Sequence, residues 1–211
     1  MIQVFEDPGE VAQAAAELIA EAVNTGARSL VLAGGSTPRR AYEILARMPV
    51  AWGRVTILFG DERCVPPDDP ESNYAMARAA LLDRVAPFGV LRMPSELGAE
   101  AAASAYDLVV RTLSPLDLVL LGMGQDGHTA SLFPGHPALT ASGYAVAVQD
   151  APKPPPDRVS LTLGALREAR RVVFLVTGGD KREAVARARR GEVPAGLIPG
   201  AEMLLDRAAA G

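Results

Sequence analysis

Short apolar runs alternate along the chain with longer stretches in which apolar residues return every three or four positions. IQVF (2–5), SLVLAGG (29–35), VTILFGDE (55–62), LDLVLLGMG (116–124), YAVAVQ (144–149), RVSLTL (158–163) and RVVFLVTGG (171–179) read as strands, the third running out into a loop. AEMLLD (201–206) reads as a last short strand or turn. Helical spacing covers the Ala-rich stretch from Pro8 to near Gly26, then 37–48, 72–85, 99–113 and 180–190, with LREAR between the last two apolar runs. Asp7 offers an N-cap to the first helix, Pro8 its first position and Glu10 a capping-box partner, while Ser72 caps a later one. Strands apolar on both faces and separated by helices predict a mostly parallel sheet covered on both sides. The expected fold class is therefore α/β, a Rossmann-like three-layer αβα arrangement with helices on both faces of the sheet, in a single domain over 1–211. DAPKPPPD (150–157), with four prolines in eight residues, cannot enter a sheet interior and reads as a stiff surface loop that delivers Arg158 to the rim of a site.

Composition narrows the partners. A net charge of −4 argues against a global attraction to nucleic acid or anionic lipid, leaving room only for a local basic pocket. Cys64 is the only cysteine, so neither an internal disulfide nor a cysteine metal cluster is available, and a buried structural thiol is expected. The opening MIQVFEDPGE lacks the basic-then-apolar pattern of a signal peptide, and no apolar run approaches the roughly 20 residues that span a bilayer. The expectation is a soluble cytoplasmic protein with no membrane or nucleic-acid partner, and a monomer, since nothing in the chain demands a second copy.

LLGMGQDGHTASLFPGHP (120–137) admits two readings. Gly122, Gly124 and Gly127 spell the G-x-G-x-x-G of a dinucleotide-binding turn, and Asp150 follows at about the place of a ribose-binding acid. That turn needs an uninterrupted helix behind it. Pro134 and Pro137 leave room for only about one and a half turns, and Asp126 would stand among the phosphates. The second reading fits better. His128 is a natural neutral-pH base, and an acid two residues away, Asp126, can hold the imidazole in one tautomer and stabilise its protonated form. His136 has no acid in its own loop and reads as structural.

Other strand ends add anion chemistry. VLAGGSTPRRAYEIL and FLVTGGDKREAVARA share a strand, a Gly-Gly pair, polar residues and a helix, which puts free backbone N–H groups at a helix N-terminus. FGDERCVPPDDPESNY (59–74) places Asp61, Glu62 and Arg63 at another strand end, where an arginine suits a phosphorylated ligand.

Taken together, LAGGSTP (32–38), FGDERCVP (59–66) with ESNY (71–74), GMGQDGHTASLFPG (122–135), RVSLTL (158–163) and GGDKREA (178–184) resemble the 6-phosphogluconolactonase family, in the family's order. The resemblance implies hydrolysis of the sugar-phosphate lactone 6-phosphoglucono-1,5-lactone to 6-phosphogluconate, in the oxidative pentose phosphate pathway, without metal or cofactor. It implies His128 as general base with Asp126 as its partner. It also implies the basic residues Arg63, Arg158 and Lys181 around the substrate, with the turn of Gly34, Gly35, Ser36 and Thr37 nearby, and Asp61 at its strand end is counted with them as a substrate-binding candidate. Glucosamine-6-phosphate deaminases resemble several of the same motifs, but they carry Asp-Glu-Tyr where this chain has Asp61-Glu62-Arg63. They also carry a Glu after Asp-Gly-His, whereas no acid lies here between Asp126 and Asp150. A sugar-phosphate sensor of the transcription-regulator kind would need a DNA-binding segment, and the first 28 residues hold one strand and one acidic helix instead.

Overall fold

In the computed structural model, which describes residues 1–211, the apolar runs become strands β1 (Ile2–Phe5), β2 (Ser29–Leu32), β3 (Thr56–Phe59), β4 (Asp61–Arg63), β5 (Gly89–Val90), β6 (Leu118–Leu121), β7 (Ala145–Val148), β8 (Arg158–Leu161), β9 (Val172–Val176) and β10 (Glu202–Asp206). The helices are α1 (Pro8–Asn24), α2 (Ser36–Leu45), α3 (Asn73–Ala80), α4 (Ala99–Leu113), α5 (Leu163–Glu168), α6 (Arg182–Arg189) and α7 (Arg207–Ala210). Seven strands form one parallel sheet in the order β1-β10-β9-β6-β2-β3-β5.

Alternate residues of the central strands feed two separate cores. Leu30, Leu32, Ile57, Phe59, Leu118, Leu120, Val173 and Leu175 pack with α1, α2 and α3. Val31, Leu58, Val119, Leu121, Phe174 and Val176 pack on the opposite face with α4, α5 and α6. Burial on both faces is why these strands read as unbroken apolar runs.

Two runs are placed differently from the sequence reading. YAVAVQ and RVSLTL form β7 and β8, which leave the parallel sheet and pair antiparallel with each other. β4, read as loop, pairs antiparallel with β8 and completes this small sheet. An apolar run says that a strand is buried but not which partner it takes. β4 was hidden because Asp61 and Glu62 are charged yet only 8% and 2% exposed. Cys64, expected to be buried, is half-buried against the core of that face, and desolvation with nearby carboxylates pushes its thiol up to about 11.

Capping follows the local sequence. Asp7 accepts from the N–H groups of Gly9 (2.6 Å) and Glu10 (3.1 Å), while Glu10 reaches back to the N–H of Glu6 rather than of the cap itself. Ser72 Oγ accepts from Ala75 N–H at 3.1 Å to start α3, which stops at Ala80, short of the expected Val85. Two buried tyrosines pin the strand ends nearest the site. The Tyr42 hydroxyl accepts from Ala33 N–H (2.9 Å) and donates to Ala33 C=O (3.0 Å). The Tyr106 hydroxyl does the same to Phe59, at 2.8 and 3.1 Å. Burial pushes both phenols above their ordinary range, so both remain neutral donors. No helix is long and apolar enough to cross a membrane.

Candidate active site

β2 and β6 are neighbours, and the chain winds outward from them in opposite directions, to β3 and β5 on one side and to β9 and β10 on the other. Open α/β sheets bind ligands outside the carboxyl ends of strands at such a reversal. A cleft of about 290 Å³ lies there, lined by the turns after β2, β3, β6 and β9. Four cations, Arg63, Lys153, Arg158 and Lys181, and one carboxylate, Asp61, line it. In a chain of net charge −4 that local excess of positive charge selects for an anionic ligand.

The questioned loop folds back on itself after β6. Gly124 N–H donates to His128 C=O and Gly127 N–H to Gly124 C=O, both at 2.9 Å, and Thr129 Oγ1 donates to Gly122 C=O. No α-helix follows; Thr129 and Leu132 close a bridged turn instead, with only a short 3₁₀ turn at Pro137–Thr140 beyond it. The fold-back sets His128 Nδ1 2.6 Å from Asp126 Oδ1. An ionised carboxylate only accepts, so Nδ1 carries the proton and the Nε2 lone pair stays free. The imidazole stacks at 4.5 Å on Phe133. Burial, with Lys153 nearby, lowers the His128 pKa against the raising effects of Asp126 and Asp61, so the ring is neutral at pH 7. Burial alone would raise the Asp126 carboxyl, but the hydrogen bond and charge of His128, with Lys153, bring it below its ordinary value. A neutral imidazole oriented by an ionised carboxylate is a general base ready to act.

Gly35, at φ 107°, precedes α2 and offers no side-chain cap, so the first N–H groups of that helix stay open at the cleft with Gly34, Ser36 and Thr37. Thr37 Oγ1 meets Thr177 Oγ1 at 2.7 Å, tying the turn after β2 to the turn after β9. The second Gly-Gly copy differs: Gly178 N–H is held by the Asp206 carboxylate, and a short 3₁₀ turn intervenes before α6. It delivers Lys181, whose Nζ lies 3.2 Å from Asp180 Oδ2.

Asp61 and Glu62, adjacent in β4, do different work. Glu62 Oε1 accepts from Asn73 N–H (2.7 Å) and Arg63 N–H (2.9 Å), and Oε2 from Tyr74 N–H (2.8 Å) and Ser72 Oγ (2.9 Å). It anchors the start of α3, with burial raising its pKa against those bonds, and it does not line the cleft. Asp61 does line it, its Oδ2 accepting from Ser131 Oγ at 2.6 Å and its Oδ1 from Asn73 Nδ2 at 3.2 Å. Arg63 hydrogen-bonds Glu71 C=O through Nη1 and leaves its Nε unpaired. His136 is structural, as expected, accepting from Ala138 N–H and donating to Gln149 C=O.

The structure thus brings every sequence-predicted site residue to one cleft, with Asp126 directly behind His128. It adds Asn73, Lys153 and Thr177, which line the cleft, and Ser131 beneath Asp61. ESNY and KPPP held two of these, but nothing in their spacing assigned them a role. No group of three or more His, Cys, Asp or Glu side chains stands together to hold a metal ion.

The family model for glucosamine-6-phosphate isomerases/6-phosphogluconolactonase matches residues 6–205. A 6-phosphogluconolactonase of Streptomyces coelicolor is 41% identical over 93% of this chain and 88% of its own. One of Homo sapiens is 39% identical over 94% and 86%. Among solved structures, the 6-phosphogluconolactonase of Trypanosoma brucei superposes with a TM-score of 0.91 at 29% identity, covering 100% of this chain and 97% of that one. A monomeric glucosamine-6-phosphate deaminase superposes with a TM-score of 0.87 at 23% identity, covering 99% and 98%, a likeness of fold alone.

Proposed function

This chain belongs to the family of glucosamine-6-phosphate isomerases and 6-phosphogluconolactonases and is an enzyme of the 6-phosphogluconolactonase kind; from that premise we infer that it hydrolyses 6-phospho-D-glucono-1,5-lactone by a water molecule activated at His128. The observation that carries the mechanism is the His128 imidazole, its Nδ1 2.6 Å from Asp126 Oδ1, in the lining of a cationic cleft.

Nε2 takes a proton from water as the water oxygen bonds to the lactone carbonyl carbon. Asp126 stays ionised and stabilises the imidazolium that forms. Collapse of the tetrahedral intermediate breaks the bond from that carbon to the ring oxygen, and His128 returns its proton to the ring oxygen. A sugar hydroxyl departs far more easily than an amine, so no side-chain nucleophile is required. The open N-terminus of α2 at Gly34, Gly35, Ser36 and Thr37 suits the phosphate through backbone N–H donors and the helix dipole. Lys181, Arg63 and Arg158 supply opposite charge from three other segments. Asp61 keeps acceptor capacity beyond Ser131 and Asn73 and is placed to receive a sugar hydroxyl.

The test is hydrolysis of freshly generated lactone by wild type and His128→Ala, each corrected for spontaneous opening. Loss of a positioned general base costs about 10²- to 10⁴-fold. A folded mutant that keeps the wild-type rate would reassign the base. Ammonia release from glucosamine 6-phosphate, measured beside it, separates this reading from the deaminase chemistry of the same family. No carboxylate other than Asp126 touches His128, so no release is expected.

A further inference from the structure

The developing oxyanion has no donor assigned so far, and one cation beside the dyad is uncommitted. Lys153 Nζ stands 3.6 Å from Asp126 Oδ1, the same oxygen that holds His128 Nδ1 at 2.6 Å. At 3.6 Å this is an ion pair without a hydrogen bond, and the ammonium makes no other, so its three N–H groups are free. Its side chain is 45% exposed and lines the cleft. Lys181, by contrast, is paired with Asp180, which also accepts from Gln125 at 2.8 Å.

The backbone under Lys153 is fixed by Arg158. The guanidinium donates to three successive carbonyls of the proline-rich loop, through Nη2 to Lys153 (3.2 Å) and Pro154 (3.0 Å) and through Nε to Pro155 (2.9 Å). Nη1 approaches Ser131 Oγ at 3.5 Å, and the guanidinium lies 5.6 Å over Phe133, the ring on which His128 stacks. Arg158 is 5% exposed and so committed mainly to holding this loop against the base.

Resting on the lactonase reading above, we propose that Lys153 is a catalytic residue whose ammonium donates to the carbonyl oxygen of the lactone as it becomes an oxyanion, with Arg158 as the positioning residue that keeps it there. A cation preset where negative charge develops stabilises the transition state more than the neutral carbonyl, so its effect falls on kcat. Alongside Asp126 and Asp61, the same ammonium sets the charge that His128 experiences.

Lys153→Met keeps the stem of the side chain and removes the charge, and Lys153→Arg keeps the charge. Both are compared with wild type on fresh 6-phosphogluconolactone from pH 5.5 to 8, and on unphosphorylated glucono-1,5-lactone. Loss of an oxyanion donor predicts a fall of about 10²-fold in kcat for Lys153→Met on the phosphorylated lactone, with KM little changed. The acid limb of the profile shifts to higher pH, because the cation that disfavours imidazolium is gone, and Lys153→Arg recovers part of the rate. On the unphosphorylated lactone the same fractional loss is expected. A KM effect confined to the phosphorylated lactone, with kcat preserved, would make Lys153 a phosphate ligand and overturn the assignment. Unchanged kcat and an unmoved acid limb in a fully active background would make it a bystander. A wild type no faster than uncatalysed opening would remove the lactonase reading, and this assignment with it.

Discussion

Arg63 stands directly opposite Arg158 across the antiparallel pair β4–β8, so two cationic side chains leave the same face of the small sheet and enter one cleft. Like charges facing each other across strands oppose folding by up to about 1 kcal/mol, a cost that a bound dianion would reverse.

Arg63→Met is therefore expected to raise KM for the phosphorylated lactone roughly 10- to 100-fold, the worth of a hydrogen bond to a charged group. It should also weaken the thermal stabilisation that 6-phosphogluconate gives the wild type, while the unliganded melting temperature changes little, because the relieved repulsion offsets the lost bond to Glu71 C=O. Titration of both proteins with 6-phosphogluconate in a thermal-shift assay reads this directly, and equal stabilisation of the two would refute it.

The sign of the His128 shift fixes the acid side of the rate profile. Burial disfavours imidazolium and Asp126 only partly restores it, so kcat/KM should begin to fall at a pH below the ordinary histidine value of about 6.5. Asp126→Asn removes the charge that favours imidazolium. It should move that limb to still lower pH while lowering kcat, because the protonated ring is no longer stabilised in the transition state. An acid limb that rises in Asp126→Asn contradicts this account.

Gly124 has no space for a methyl group, because a Cβ there would overlap His128 Nδ1 and approach Asp126 Oδ1 within 2.5 Å. Gly124→Ala must push the dyad apart and should cost at least about 10²-fold in kcat, close to loss of the base itself. The circular dichroism spectrum should be unchanged. An active Gly124→Ala enzyme would mean that the 2.6 Å contact is dispensable.

Ser131 is fully buried, and its hydroxyl is one of two side-chain donors to the Asp61 carboxylate. Ser131→Ala leaves a buried carboxylate short of a partner and should destabilise by about 1–3 kcal/mol. Urea unfolding would show this as a lower midpoint at constant m-value. A midpoint equal to that of wild type would show that water or Asn73 fully replaces the hydroxyl.

The legible parts of the sequence were those where one physical signal dominates. Unbroken apolar runs mark β2, β3, β6 and β9 because both faces are buried, and Asp7 and Ser72 mark helix starts because short oxygen-bearing side chains satisfy open N–H groups. His128, Asp126 and the Gly34–Gly35 turn were legible because dyad and anion chemistry lie within a few residues of one another. The rest depends on neighbours that only folding supplies. β4 is a strand of charged residues whose buried carboxylates are satisfied by Ser72, Asn73, Tyr74 and Ser131, four partners on two other segments. Lys153 is one lysine in a proline-rich loop until Arg158 sets that loop beside Asp126.

The three carbonyls tethered to Arg158 also bear on kinetics of encounter. A wall fastened to a buried guanidinium at successive residues does not swing, so this side of the cleft offers no hinge on which a closing step could turn. Discrimination among lactones then belongs to the fit of each against a wall already in place rather than to a later rearrangement, and kcat, set by the bond-making step at His128, should be insensitive to solvent viscosity.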